Sequence, residues 1–207
     1  MNALPLRIVS LPRLRLGVVR HWLDRLHIPC TVSEPDRPLR ACLFARRGFG
    51  FVFLDAADPP DEQRFSLAHE IAHYLRDYDA PRRAVVEKLG SAVVEVCDGV
   101  RSATPNERLH ALLRHTPLVA HMHLLHRDDA GRPWSPAEQA AETAADRLAF
   151  ELLAPAALLD EETDPATIHD RLVCEFGLPQ AAAARYAVIL CPASEIDPLV
   201  LRLREIC

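Results

Sequence analysis

The sequence predicts an α+β fold, in which a small antiparallel sheet packs on a helical bundle and a helical hairpin closes the C-terminal end. Three observations point there. Short apolar runs rich in Val and Phe cluster between residues 30 and 55, separated by turn-forming residues. Beyond residue 58 the apolar spacing changes to that of helices, repeatedly preceded by helix-start signals. Near the C-terminal end, Gly177 and Pro179 divide two such helices within a few residues.

The first helix is expected from about Arg13 to His27, where Leu14, Val18, Val19, Trp22, Leu23 and Leu26 recur at helical spacing. "CTV", "LRACLF" and "GFGFVFLD" follow as two or three strands, with Arg46, Arg47 and Gly48 forming the turn between the last two. Asp58 is the expected N-cap and Pro59 the first residue of a helix that starts near residue 60 and ends near Tyr78. A further amphipathic helix is expected over Ala80 to Asp98, weakened by Gly90. "TPNE" at 104–107 and "SPAE" at 135–138 are capping boxes with proline in the first turn, so each opens a helix, the second running to about Ala154. Between them, Leu118 to Leu125 reads as a strand. Asp164 and Pro165 start the hairpin, and Pro179 opens its second helix. Two regions result: residues 1–160, with a long insertion at about 79–134, and the hairpin region, 161–207.

A chain of 207 residues can bury a substantial core. Its net charge of -5, with acids and bases interspersed, provides no electrostatic footprint for nucleic acid or for an anionic membrane. Arg7, Arg13, Arg15 and Arg20 interrupt the N-terminal apolar stretch, which argues against a signal peptide or a membrane span. The six cysteines fall at 30, 42, 97, 174, 191 and 207 with no C-x-x-C pair, as expected of isolated buried thiols in a reducing cytoplasm.

"RFSLAHEIAHYL", Arg64 to Leu75, sets His69, Glu70 and His73 on an otherwise apolar helix. Residues four apart share a helix face, so both imidazoles can reach one ion. Glu70 lies at the edge of that face, placed for a general base rather than a ligand. These are the mechanics of the H-E-x-x-H motif. A catalytic zinc requires a third protein ligand and one open position. The helix after "SPAE" supplies Glu142 as that ligand and, one turn on, Asp146, which can accept a hydrogen bond from the far nitrogen of a ligating histidine, with His69 the expected partner. Ala144, Ala145 and Ala149 leave room for close helix packing.

"RFSLAHEIAHYL" followed by "ETAADRLAFELLAP" resembles the ImmA/IrrE family of metallo-endopeptidases, over roughly Ile28 to Pro155. The resemblance implies a gluzincin-type site holding one Zn²⁺ per chain, with His69, His73 and Glu142 as ligands and Glu70 as base. It also implies a protein substrate: members of this family cut helix-turn-helix repressors at specific sites, switching on mobile-element or stress-response genes. The interval between His73 and Glu142 is longer here than in the family, and it must fold so that the two site helices remain adjacent. The alternative function is a zinc-holding regulator that binds a repressor without cutting it.

Other features favour plainer readings. His110, His115, His121, His123 and His126 fit no single helical face and are expected to be solvated or locally bonded rather than a second metal site. The C-terminal hairpin has the outline of a helix-turn-helix, but Arg171 and Arg185 alone are too few cations for reading DNA. "GFVFL" is either an ordinary core strand or an edge to which an extended substrate adds.

Overall fold

The computed structural model describes residues 4–28, 35–113, 135–159 and 164–191. The chain divides into two compact units, Met1–Leu152 and Leu153–Cys207. The first opens with strand β1 (Leu6–Leu11) and helix α1 (Leu16–Arg25), followed by strands β2 (Ala41–Arg46) and β3 (Phe49–Asp55). Helix α2 (Pro60–His73) passes through a π-helical turn (Tyr74–Asp79) into α3 (Ala80–Leu89); short α4 (Val94–Cys97), α5 (Pro105–Leu113) and α6 (Pro136–Leu153) follow.

The sheet is mixed rather than purely antiparallel, with order β1-β3-β2. β2 and β3 form the expected hairpin, but β1 runs parallel to β3, pairing Leu6 with Gly50 through Leu11 with Asp55. The sequence reading missed β1. Only half of "LRIVSL" is even partly buried, and its partner lies some forty residues away, beyond the crossover that parallel pairing requires. "CTV" and the strand expected at Leu118–Leu125 lie outside the described residues.

β2 and β3 are apolar on both faces because both faces are covered. Cys42, Phe44 and Phe53 pack against Leu16, Val19 and Leu23 of α1, where Trp22 meets Phe51 and Phe53 edge-on with centroids 5.2 and 5.1 Å apart. Leu43, Ala45, Val52 and Leu54 face the other way, onto Tyr74 and Tyr78. β3 is the central strand, so it is not an edge open to a substrate.

Two tyrosines of the π turn fasten the hairpin. Tyr74 donates its hydroxyl hydrogen to the Gly48 carbonyl at 3.0 Å, and the Gly48 N–H donates to the Tyr78 hydroxyl at 2.6 Å. The approach is close enough that a side-chain carbon at Gly50 would press into Leu6 and the Tyr74 ring. No break occurs near Tyr78; the helical path continues to Gly90, whose φ of 87° ends α3 and divides the expected 80–98 helix.

Carboxylates distant in sequence organise the start of the chain. Asp55 accepts from the backbone N–H groups of Arg13 and Leu14 at 2.8 and 3.1 Å. Asp36 accepts from Gly17 N–H at 2.8 Å, satisfying the first turn of α1 from outside the helix.

The second unit holds α7 (Pro165–Cys174) and α8 (Gln180–Leu190), which pack on each other as the expected hairpin. Asp164 caps α7 by accepting from Thr167 N–H at 2.9 Å, and Gly177 turns the chain with φ 64°. Ile168, Leu172, Ala183 and Tyr186 are buried, and Tyr186 donates to the Ala154 carbonyl at 3.1 Å. Cys42 and Cys97 are buried free thiols as expected, whereas Cys174 is exposed and Cys191 half-buried. Among the described residues, no helix is long and apolar enough to cross a membrane.

Candidate metal centre

The first half of the site is set by how α2 begins and what it rests on. Its N-cap is Pro59, with Pro60 the first helical residue, one position later than the Asp58–Pro59 start expected. Asp61 and Glu62 occupy the first turn, favourable against the helix dipole, and Glu62 pairs with Arg40 at 2.8 Å. Phe65, Ala68, Ala72 and His73 are its buried positions.

The second half lies on α6. Its capping box forms as expected: Glu138 N–H donates to the Ser135 hydroxyl at 3.2 Å, and Ser135 N–H donates to the Glu138 carboxylate at 2.7 Å. That start sets the helix register, so Glu142 and Asp146 share a face with the fully buried Ala145 and Ala149 close by. Phe65 of α2 meets Phe150 of α6 with ring centroids 5.5 Å apart, and the Arg76 guanidinium donates to the Ala141 carbonyl at 3.1 Å. The long interval between α2 and α6 therefore leaves them adjacent.

Three side chains converge between these helices. His73 Nε2 lies 3.0 Å from His69 Nε2 and 3.1 Å from Glu142 Oε1, and His69 Nε2 lies 3.8 Å from the same oxygen. Two further carboxylates stand behind the rings. Asp146 Oδ1 is 2.9 Å from His69 Nδ1, the partner expected from sequence, and Asp77 Oδ2 is 2.7 Å from His73 Nδ1. Asp77 was not foreseen, although a carboxylate four residues beyond the second histidine of the motif was a readable signal.

The arrangement suits a cation. With each Nδ1 proton directed at a carboxylate, both Nε2 lone pairs and one Glu142 oxygen face a common point. A tetrahedral ion with bonds of about 2.05 Å spaces its ligand atoms by about 3.3 Å, which is the size of this triangle. His69, His73 and Glu142 thus fit one metal ion, and zinc matches the donor set.

The electrostatics agree. Burial opposes charge on His69, but Asp146 and Glu142, with Glu70 adding to them, outweigh it and push its pKa up to about 10. His73 is raised in the same way, against burial, by Asp77, Glu142 and Glu70. Burial works to raise the Glu142 pKa, yet the two imidazoles hold its carboxyl well below the usual carboxylate range. Half-buried Glu70 thus lies near enough for its charge to be felt by both rings. The cluster is also accessible, since the side chains of His69 and Glu142 each keep 16% of their surface exposed.

His110 is exposed on α5, while His115, His121, His123 and His126 lie outside the described residues. Residues 35–92 match a family model, Peptidase_M78, described as the IrrE N-terminal-like domain. The match includes β2, β3 and α2 with its three motif residues, and ends before Glu142 and Asp146, whose place at the site comes from the geometry alone. No curated protein and no solved structure matches the chain.

Proposed function

We propose that this chain, which carries a metallopeptidase domain of the ImmA/IrrE family, is a zinc-dependent endopeptidase that cuts a helix-turn-helix transcriptional repressor at a specific site. The observation that carries the reading is the convergence of His69, His73 and Glu142 with Glu70 alongside. His69, His73 and Glu142 would hold the zinc ion, which would supply Lewis acidity to a scissile carbonyl and acidify water. Glu70 takes the proton from the attacking water, and its neutral carboxyl then returns that proton to the leaving amine. Asp146 holds His69 by its Nδ1, with Nε2 toward His73 Nε2 and the Glu142 carboxylate. Residues 1–160 form the peptidase region in this reading, and 161–207 form the helical hairpin.

A protein substrate is supported by the family, and a repressor substrate by the resemblance of the two motif-bearing helices. Cleavage would relieve repression of mobile-element or stress-response genes in the cytoplasm. The test is incubation with the repressor encoded nearest to this chain, with and without a chelator, read by mass spectrometry. Fragments that appear only without chelator support the proposal. An intact repressor bound in a stable complex instead makes the chain a zinc-holding regulator.

A further inference from the structure

The carboxylates behind the two imidazoles come from different places. Asp146 reaches His69 from α6, whereas Asp77 belongs to the π turn that directly follows the motif. We propose that Asp77 is a positioning residue, which accepts from Nδ1–H of His73 at 2.7 Å and thereby aims His73 Nε2 at the point it shares with His69 and Glu142. The inference rests on the metal reading above and deepens it.

Burial makes this contact consequential. The His73 side chain is 1% exposed, so its ring orientation is set by protein groups and hardly at all by water. An imidazole has two nitrogens, and the one that carries the proton cannot bind a metal. A carboxylate fixed at Nδ1 assigns the proton there and leaves Nε2 free, while making that nitrogen more basic. Asp77 is itself held, with its second oxygen 3.4 Å from the guanidinium of Arg76. Arg76 also donates to the carbonyl of Ala141, the residue before Glu142. One short turn therefore orients a ligand on its own helix and ties down the strand of α6 backbone that bears another.

The full chain is tested by zinc affinity, measured in competition with a chromophoric chelator, together with ¹¹³Cd–¹⁵N couplings that show which histidine nitrogen is bound. The wild-type chain is expected to bind through His73 Nε2. Asp77→Ala should weaken zinc about 10–100-fold and disturb the His73 coupling, with the unfolding of the metal-free protein little changed. Asp77→Asn retains an acceptor oxygen and should recover most of the affinity and the wild-type coupling. If Asp77→Ala does not fold, Asp77→Ser takes its place with the same expected loss. Zinc affinity of the alanine or serine variant within twofold of wild type overturns the proposal, as does an asparagine variant no better than alanine. A wild-type chain that binds no zinc overturns the metal reading and this inference together, whereas tight wild-type binding with indifferent variants overturns this inference alone.

Discussion

Glu70 has the sharpest single-residue consequence. It shares a helix with both imidazoles, one residue beyond His69 and at the edge of the face they share. Glu70→Gln keeps size and hydrogen bonding and loses the base. Peptide cleavage should fall by about 10²–10⁴-fold while zinc content stays at one per chain. Wild-type turnover by that variant, in a repressor-cleavage assay, refutes the role. That His69 and His73 share one helix face, and Glu142 and Asp146 another, was legible in the sequence because helical periodicity is local: residues four apart lie about one turn apart, whatever surrounds them. Asp77 obeys the same i, i+4 spacing from His73 but lies outside the H-E-x-x-H pattern itself. Asp36 and Asp55, which satisfy the backbone around α1, had no such signal, since their partners lie about twenty and forty positions away.

The helices carry the next level of consequence. The α6 face that carries Glu142 and Asp146 also carries Ala145 and Ala149, which are small and fully buried. Ala145→Leu adds three carbons where there is no room, a strain of about 1–3 kcal/mol, relieved most readily by moving α6 outward. Zinc affinity should drop at least tenfold in chelator competition although no proposed ligand has changed; undiminished binding means the helices have slack. At α5 the capping box makes a pH prediction. Hydrogen bonds from Arg101 and from the Thr104 backbone hold the Glu107 pKa at about 2, below its ordinary 4.5. A depressed carboxylate stabilises the fold fully above its unfolded pKa and loses that contribution as pH falls through the folded one. The first turn of α5 should therefore loosen between about pH 4.5 and 2. A ¹³C titration of the Glu107 carboxyl with its midpoint near 4.5 would contradict this.

Helix starts were readable where their chemistry is contiguous, as in Thr104–Glu107, Ser135–Glu138 and Asp164–Thr167. The π turn was not readable, because no residue type encodes an extra residue in a turn. Its anchors are tertiary: the two tyrosine hydroxyls on Gly48. β1 escaped for a related reason, as half-exposed alternation with Arg7 and Ser10 acquires meaning only once β3 is present to pair with it.

Across the molecule, the proposed ligands join segments 69 residues apart in sequence. An ion bound by both helices stabilises the folded chain without stabilising the unfolded one. At about a hundredfold excess of free zinc over Kd the gain is about 2.7 kcal/mol, and for a chain of this size that raises Tm by about 5–10 °C. A chelator should reverse the shift in differential scanning calorimetry; a Tm indifferent to zinc contradicts a site spanning the two helices.

The same separation governs what happens during synthesis. A ribosome that has delivered only the motif helix has made two imidazoles and a base with no third ligand to complete them. In the proposed reading, the nascent polypeptide would stay without its third metal ligand, and so without peptidase activity, until α6 has left the exit tunnel and docked.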